Sequence, residues 1–234
     1  MLSEEVIGVP PMDGGVGLAY TRQGLMGVVP SHINTMVGMD QTHSADVGVL
    51  SVGAHGEWVL AGAEWGVNTQ RLSDGPHLAV QDAANIPLKK TVVADAIISS
   101  VPHCLLAVKT ADCLPILVIA PPYIAVIHAG RQGTLAGISF RVAGELAQRG
   151  ITSPSVWMGP HICVCCYEIE PTTRTHYDLL MENTRQFHAI FQDRATIMTS
   201  PYCTHCDSSV FYSYRSGDAT QRNGFYLALM PESK

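Results

Sequence analysis

The sequence predicts one domain in which helices and strands form a layered α/β or α+β sandwich. Three observations support this: short apolar runs separated by turn signals, one long segment with helical periodicity, and the lack of any linker or internal repeat. The chain has 234 residues, of which 47% are hydrophobic and 15% charged. A chain of this length and composition can bury a large core without disulfides or metal ions to stabilise it.

The clearest predicted strands lie in the middle of the chain. Pro121-Pro122 separates two apolar runs and predicts a tight return between neighbouring antiparallel strands. The segment 53–90 is weakly patterned and is predicted to contain loops and short elements. The predicted strands are Leu105–Lys109, Pro115–Ile119, Ile124–Ile127, Val156–Met158, Phe211–Tyr214 and Phe225–Leu229.

Two helices are predicted from apolar spacing. Apolar residues recur at intervals of three and four between Leu135 and Arg149, and Gly150 follows as a C-terminal stop. A second helix is predicted over Thr172–Phe191.

The charge pattern and the N-terminus indicate the class of partner. The chain has 14 basic and 20 acidic residues, and it has no basic stripe that would follow a phosphate backbone. Its first residues lack the features of a signal peptide, and its longest apolar run, Leu114–Ile127, is interrupted by three prolines. We therefore expect a cytoplasmic protein, monomeric or homodimeric, with a small-molecule substrate and neither nucleic acid nor membrane as a partner.

Three short segments contain candidate metal ligands: Gln41–Ser44, Thr110–Cys113 and His128–Gly130. Cys113 and His128 each follow a predicted strand, so both can reach the same edge of a sheet if those strands are neighbours. Two imidazoles and one thiolate suit zinc and also copper, and three protein ligands leave a position open, as in catalytic zinc sites. These residue types make His43, Cys113 and His128 candidate metal ligands and catalytic residues. Their spacing alone is a weak motif, and taken by itself it favours an inert buried cysteine and two hydrogen-bonded histidines.

Several motifs occur in an order that resembles a known family. They are Ala94-Asp95-Ala96, Thr110-Ala-Asp-Cys-Leu-Pro115, His128-Ala-Gly130, Gly159-Pro160, Tyr167-Glu-Ile169 and Phe211-Tyr-Ser-Tyr-Arg215. Together they resemble the YfiH-type polyphenol oxidase family, also called laccase-domain proteins, from about Gln41 to the C-terminus. The resemblance implies an α+β fold, a single-domain α/β sandwich with a mixed β-sheet over residues 1–234, similar to the catalytic domain of cytotoxic necrotizing factor.

The resemblance also implies chemistry at the three candidate ligands. The family's centre maps onto His43, Cys113 and His128, with zinc as the expected metal and copper possible at the same site. The implied activities are phosphorolysis of adenosine, inosine, guanosine or methylthioadenosine, and deamination of adenosine. Copper-dependent polyphenol oxidation and an amidase role in editing peptidoglycan precursors are alternatives from the same family.

The sequence departs from the family pattern near the substrate. Where the family has His-Ala-Gly-Trp-Arg-Gly, this chain has His128-Ala-Gly-Arg131-Gln-Gly133. A second Gly-Pro is replaced by Cys163-Val164, the family's Thr-Gly-Arg reads Thr220-Gln-Arg222, and the segment with the family's Asn-Arg pair is absent. The ligand triad is intact, so both an active enzyme and an inactive family member remain open.

Three further residues are candidates for the site. Arg131, ahead of a helix expected to begin near Thr134, and Arg215 are predicted to bind an anionic substrate group, since guanidinium pairs with phosphate through two hydrogen bonds. Asp112 is predicted to orient a metal ligand through a hydrogen bond. The alternatives are a surface ion pair for Arg215, a surface position without nucleoside turnover for Arg131, and a turn role for Asp112.

Two other catalytic classes can be compared with the sequence. A multicopper oxidase requires His-x-His pairs, and no two of the ten histidines are separated by a single residue. A metal-free hydrolase would instead use Cys113 as nucleophile and His128 as its base.

The seven cysteines are expected to be free thiols or metal ligands, because no export signal is present. Five of them form two clusters, at positions 163, 165 and 166 and at positions 203 and 206. Two Cys-x-x-Cys pairs could bind a second, structural zinc, but only their spacing supports this.

Overall fold

The computed structural model describes residues 15–21, 24–26, 33, 35–54, 57–65 and 88–229. Most of its strands form two seven-stranded sheets. From edge to edge, the first sheet contains β2 (Gly24–Met26), β1 (Gly15–Thr21), β16 (Asn223–Leu229), β9 (Cys104–Thr110), β3 (Thr35–Asp40), β7 (Leu88–Val93) and β6 (Glu64–Trp65). The second contains β15 (Thr196–Thr199), β12 (Ser155–Met158), β10 (Leu114–Ala120), β11 (Tyr123–Ala129), β8 (Ala96–Ser99), β4 (Val47–Val52) and β5 (Trp58–Ala61).

The remaining elements are a small ribbon and the helices. The ribbon pairs β13 (Glu168–Glu170) with β14 (Thr175–His176). The helices are α1 (Arg131–Leu135), α2 (Ile138–Gln148) and α3 (Leu179–Phe191), and a 3-10 turn (Gln192–Arg194) follows the last of them.

Both large sheets are mixed. In the first, β3 runs parallel to β7 and β9; in the second, β4 is parallel to β8 and β12 to β15. The other pairs are antiparallel. The predicted α+β fold with mixed strand pairing is confirmed, and the structure shows in addition that the strands divide between two sheets.

The central strands of the second sheet are buried on both faces. Leu117 and Ile119 of β10 pack in a core between the two sheets, with Phe225 of β16. Ile116 and Val118 alternate with them and face a second core that contains residues of α2 and α3. The layers are therefore sheet, sheet and helices. A strand buried on both faces must be apolar throughout, which is why these runs stand out in the sequence.

Five of the six predicted strands are confirmed, as β9, β10, β11, β12 and β16. The prediction of a strand over Phe211–Tyr214 is wrong, because side chains take the place of a neighbouring strand. The backbone N–H of Tyr212 donates to Asn223 Oδ1 at 2.9 Å, and that of Ser213 donates to Asp218 Oδ2 at 2.9 Å.

The helix predictions hold in part. The segment Leu135–Arg149 is divided between α1 and α2 at Gly137, whose φ of 80° is left-handed. Thr134 lies inside α1 and not near its start. The second helix begins only at Leu179, where the Asp178 side chain accepts a hydrogen bond from Met181 N at 2.8 Å and caps the helix.

Two further sequence expectations concern the segment 53–90 and membrane-spanning helices. Much of the weakly patterned segment 53–90 lies outside the described residues, and its described part contains β5, β6 and the start of β7. In the described part of the chain, no helix has the length and apolar character needed to cross a membrane.

Candidate metal centre

The fold brings the three predicted ligands together. Cys113 lies in the turn by which the chain leaves β9 of the first sheet and enters β10 of the second. The antiparallel pairing of β10 with β11 places Leu114 opposite Ala129 and Pro115 opposite His128, so Cys113 lies beside His128. His43 follows β3, the parallel neighbour of β9. The ligand atoms of His43, Cys113 and His128 all lie within 4.8 Å of one another, and we call these residues the metal centre.

A buried carboxylate, Asp95, fixes the orientation of His128. Asp95 has no exposed surface, and its Oδ1 lies 2.7 Å from His128 Nδ1. The imidazole therefore carries its proton on Nδ1 and presents Nε2 to the centre. Carboxylates that accept from the second nitrogen of a liganding histidine set its tautomer in this way.

The same carboxylate holds the loop that carries His43. Oδ2 accepts from the backbone N–H groups of Thr42 at 3.1 Å and Ser44 at 2.7 Å, and Oδ1 accepts from that of His43 at 3.1 Å. The Thr42 and Ser44 hydroxyls also donate to Oδ2. His43 has a φ of 59°, a left-handed conformation that is costly for a residue with a Cβ. Asp95 thus offsets this cost while it orients the second histidine.

The ionisable side chains of the metal centre shift one another's pKa values. Burial alone would raise the pKa of Cys113, but hydrogen bonds and positive charge from the two histidines outweigh it and lower the pKa to about 6. Burial would lower the pKa of His128, whereas its bonds to Asp95 and Cys113 raise it to about 9. Burial would likewise raise the pKa of Asp95, yet His128 and the Ser44 amide hold it well below its usual range. Without a metal, these shifts favour the ionised thiol of Cys113 and the protonated imidazole of His128.

Two glycines allow close packing around the centre. A Cβ on Gly130 would lie 3.1 Å from Cys113 Sγ and 3.4 Å from His43 Cδ2. A Cβ on Gly133 would lie 2.4 Å from the carbonyl oxygen of Ser44, so only glycine lets α1 pack against the loop of His43. The space beside the three ligand atoms is thus kept free of side chains.

These features fit a single metal ion. Two imidazole nitrogens and one thiolate sulfur form a ligand set for zinc or copper, and their mutual distances suit bonds of about 2.0–2.3 Å. Three protein ligands leave a fourth position for a substrate group.

The open side of the centre faces a cleft of about 390 Å³, a size within the range of small-molecule sites. It contains three cationic side chains, those of Lys109, Arg215 and Arg222, and two tyrosines, Tyr167 and Tyr214. The full lining is Gln41, His43, Lys109, Thr110, Ala111, Asp112, Cys113, His128, Tyr167, Tyr214, Arg215 and Arg222.

The two predicted substrate-binding arginines differ in position. Arg215 lines the cleft; its Nη2 donates to the carbonyl oxygen of Glu168 at 2.9 Å, and its Cζ lies 5.4 Å from the centroid of the Tyr167 ring. Arg131 is the first residue of α1 and does not line the cleft. Burial raises the pKa of Tyr167, and the nearby cations of Arg131 and Arg215 partly oppose that rise, so Arg131 lies beside a residue of the cleft.

Asp112 does not have the predicted contact with a metal ligand. Its Oδ1 accepts from Thr204 Oγ1 at 2.7 Å, and its Oδ2 accepts from the backbone N–H of Arg215 at 2.8 Å. The carboxylate that orients His128 is Asp95, because strand pairing places Ala96 opposite Ile127 and so brings Asp95 to the end of β11.

Sequence reasoning missed several residues of the site. Asp95 carried a signal, since a carboxylate between two alanines at the start of an apolar strand requires buried partners. Gln41 exchanges two hydrogen bonds with the backbone of Lys109, at 2.7 and 3.0 Å, and this long-range pairing has no local sequence signal. Lys109 and Arg222 also come from distant segments and meet only in the fold.

The comparisons with known proteins give the family. Two histidines and one cysteine that could hold a metal ion lie on a sandwich of two sheets and helices, which is the arrangement of an α/β protein with a candidate metal site. The family described as multi-copper polyphenol oxidoreductase laccase matches residues 18–230. The chain belongs to this family.

Curated relatives bear the names of purine-nucleoside enzymes. The chain is 28% identical over 227 residues to the purine nucleoside phosphorylase SCO2081 of Streptomyces coelicolor, covering 87% of this chain and 78% of the relative. It is 29% identical over 147 residues to the adenosine deaminase RL5 of an unknown prokaryotic organism, covering 52% of this chain. That match spans little more than half of the deaminase, 56% of its length.

Solved structures share the fold. YlmD from Geobacillus stearothermophilus matches with a TM-score of 0.60 at 23% identity, over 85% of this chain and 74% of that one. The Bacillus licheniformis hypothetical protein YfiH matches with a TM-score of 0.59 at 19% identity, over 83% of this chain and 74% of that one. The expectation of a YfiH-like fold is confirmed.

Proposed function

We propose that the chain is a zinc-dependent enzyme that acts on purine nucleosides, by phosphorolysis and by deamination of adenosine. The observation that carries the proposal is the convergence of His43, Cys113 and His128 in a cleft that also contains cationic and aromatic side chains. The names of the relatives support the same substrate class.

Three residues would hold the ion, and a fourth keeps them in position. His43 and Cys113 supply one donor each, and His128 supplies Nε2 because Asp95 occupies its Nδ1. Zinc bound there supplies Lewis acidity, which activates a nucleophile or polarises an electrophile.

The cleft's cations suit phosphate and ribose. Arg215 is braced by the Glu168 carbonyl and the Tyr167 ring, and a guanidinium fixed in this way loses little entropy when it binds an anion. Lys109 and Arg222 add positive charge to the same cleft. The Tyr167 and Tyr214 rings offer apolar surfaces on which a purine can stack.

The test is turnover by zinc-loaded protein. Adenosine, inosine, guanosine and methylthioadenosine are incubated with and without phosphate, and free base, ribose phosphate and inosine are quantified. We expect base release that requires phosphate, and inosine from adenosine without it. No turnover of any of the four nucleosides by zinc-loaded protein would refute the proposal; Cys113→Ser and metal-free protein are the controls.

Copper chemistry is the alternative that the family description raises. The metal centre has ligands for one ion, and in the described part of the chain the other candidate cluster consists of four cysteines. That ligand inventory does not match a multicopper oxidase, although copper favours the same His-Cys-His set. Phenol oxidation by copper-loaded protein would favour this alternative.

A second candidate function is a metal-free thiol hydrolase such as an amidase, and one specific observation favours it. The ligand atoms of Cys113 and His128 lie within 4.8 Å of each other, and His128 Nδ1 lies 2.7 Å from Asp95 Oδ1, the order of a nucleophile, a base and the carboxylate that orients the base. Amide hydrolysis that survives exhaustive chelation but is abolished by thiol alkylation would establish this function in place of the first.

A further inference from the structure

A second cluster of metal-binding side chains lies apart from the metal centre. Two Cys-x-x-Cys segments supply it, Cys163 with Cys166 and Cys203 with Cys206. Their four Sγ atoms all lie within 4.8 Å of one another. We call these four residues the cysteine tetrad. The fifth cysteine of the region, Cys165, is exposed and is not part of the tetrad.

The backbone around the tetrad is folded to present sulfur atoms to one point. The N–H groups of Cys166 and Tyr167 both donate to the carbonyl oxygen of Cys163 at 3.0 Å, which closes a tight turn. Cys203 Sγ accepts from the backbone N–H groups of Cys163 at 3.3 Å and Cys206 at 3.5 Å. Backbone donors to a sulfur stabilise its thiolate form, which is the form that binds metals.

The two segments are also joined directly. His161 and Cys203 form a parallel β-bridge, and Thr204 N donates to the carbonyl oxygen of His161 at 3.0 Å. Asp207 Oδ2 accepts from Cys203 N at 3.1 Å, which fixes the second Cys-x-x-Cys turn. The tetrad is therefore assembled by main-chain contacts and not by the chance proximity of flexible side chains.

We propose that the cysteine tetrad binds one structural zinc ion. Zn–S bonds of about 2.3 Å place tetrahedral sulfurs about 3.8 Å apart, which small adjustments of the observed sulfur positions achieve. Four thiolates fill the coordination sphere and leave no position for substrate, so the site is structural and not catalytic. Zinc and single iron ions both accept four sulfurs, and the tests below distinguish them.

The position of the tetrad gives this zinc a role in the architecture of the cleft. Tyr167, which lines the cleft, directly follows Cys166. Thr204, directly after Cys203, donates to Asp112 at 2.7 Å, and Asp112 holds the backbone of Arg215 at 2.8 Å. An ion in the tetrad would therefore tie together two segments that carry one side of the cleft.

Disulfides are the competing use of these thiols. Cys166 Sγ and Cys206 Sγ lie 3.4 Å apart, and Cys163 Sγ lies 3.0 Å from Cys165 Sγ. A Cys166–Cys206 disulfide would remove two ligands from the tetrad, and a Cys163–Cys165 disulfide would remove one. The zinc-bound state and the disulfide state differ in metal content and in the number of free thiols, so these two measurements on one preparation distinguish them.

The test is metal analysis of the full chain, purified without chelators. We expect about two zinc ions per chain in the wild type and about one in Cys163→Ser and Cys206→Ser. Cys165→Ser, the matched control, should keep both, and Cys113→Ser should lose only the ion of the metal centre. The tetrad ion and the metal-centre ion are thus measured separately, so the tetrad proposal can fail while the proposed function stands, and the reverse.

Cobalt substitution provides a spectroscopic readout independent of activity. Four thiolates give stronger sulfur-to-cobalt charge-transfer absorption than the single thiolate of the metal centre. We expect Cys206→Ser to lose most of this absorption and Cys113→Ser to lose little of it.

If a cysteine variant does not fold, a measurement on the wild-type protein tests the proposal instead. In the folded wild type, the four tetrad thiols, together with Cys113 of the metal centre, should resist alkylation until a chelator is added, and the Tm should then fall. Iron in place of zinc, an intact disulfide within the tetrad, or four thiols that react at the same rate with and without chelator would each overturn the proposal.

Discussion

Replacement of Asp95 by asparagine tests whether one carboxylate organises the metal centre. The side chain keeps its size and loses its charge and one acceptor oxygen. The new amide group must face N–H donors in either orientation. In the position of Oδ2 it opposes the N–H groups of Thr42 and Ser44; in the position of Oδ1 it opposes that of His43 and also faces His128.

The less costly orientation keeps the oxygen toward Thr42 and Ser44. The His43 N–H then loses its acceptor, which costs about 1–3 kcal/mol, and loss of the charged bond to His128 adds about 1–2 kcal/mol. The amide also donates to His128 Nδ1 and moves the imidazole proton to Nε2, where it blocks metal binding. We expect metal-free Asp95→Asn to lose about 2–5 kcal/mol of unfolding free energy and zinc affinity to fall about 10–100-fold.

The assay combines urea unfolding of the metal-free protein with zinc competition against a chelator. Asp46→Asn is the matched control, because Asp46 is an exposed aspartate in the same loop whose carboxylate accepts from Ser44 Oγ at 2.8 Å. If Asp95→Asn resembled Asp46→Asn in both measurements, the role assigned to Asp95 would be refuted.

Four further outcomes follow from the site. Cys113→Ser should release the ion of the metal centre with the sheets intact, as metal analysis and circular dichroism would show; retained metal contradicts the ligand assignment. Gly130→Ala should weaken zinc binding roughly tenfold, since its Cβ would lie 3.1 Å from Cys113 Sγ, whereas Gly144→Ala has nothing within 4 Å of its Cβ and should not. Arg215→Ala should raise the KM for phosphate about tenfold with metal content unchanged, and a loss of metal would instead show a structural role. In metal-free protein, alkylation of Cys113, followed by mass spectrometry, should slow as pH falls through about 6; a midpoint near the ordinary thiol pKa would contradict thiolate stabilisation.

The sequence predicted the parts of the fold in which local pattern and burial agree. β10 and β11 are buried on both faces, so their apolar runs are continuous and their positions are evident. The division into two sheets left no such mark, because the chain crosses between the sheets in the short turn at Cys113. The segment Phe211–Tyr214 has the residue pattern of a strand, yet its backbone N–H groups donate to the side chains of Asn223 and Asp218 and not to a neighbouring strand.

The candidate site shows the same contrast. The three ligands lie in recognisable sequence motifs, whereas the cations of the cleft come from β9, which carries Lys109, and from the loop before β16, which carries Arg215 and Arg222. The prediction for Asp112 rests on its position next to Cys113. The backbone geometry of the turn instead directs its side chain toward Thr204. Adjacency in sequence was a poor guide to the partner of His128, and strand pairing supplied Asp95 instead.

The departures from the family pattern bear on whether this chain is active. The family's tryptophan is replaced by Arg131, which is close enough to Tyr167 to shift its pKa but does not line the cleft. The positive charge of the cleft does not depend on that motif, because Lys109, Arg215 and Arg222 supply it. Burial of the Asp95 carboxylate and the His128 imidazole costs free energy, and so does the left-handed backbone of His43. The contacts among these three residues offset the cost. These costly groups meet at one open cleft, as expected at a functional site, and this supports the proposal that the chain is an active member of its family.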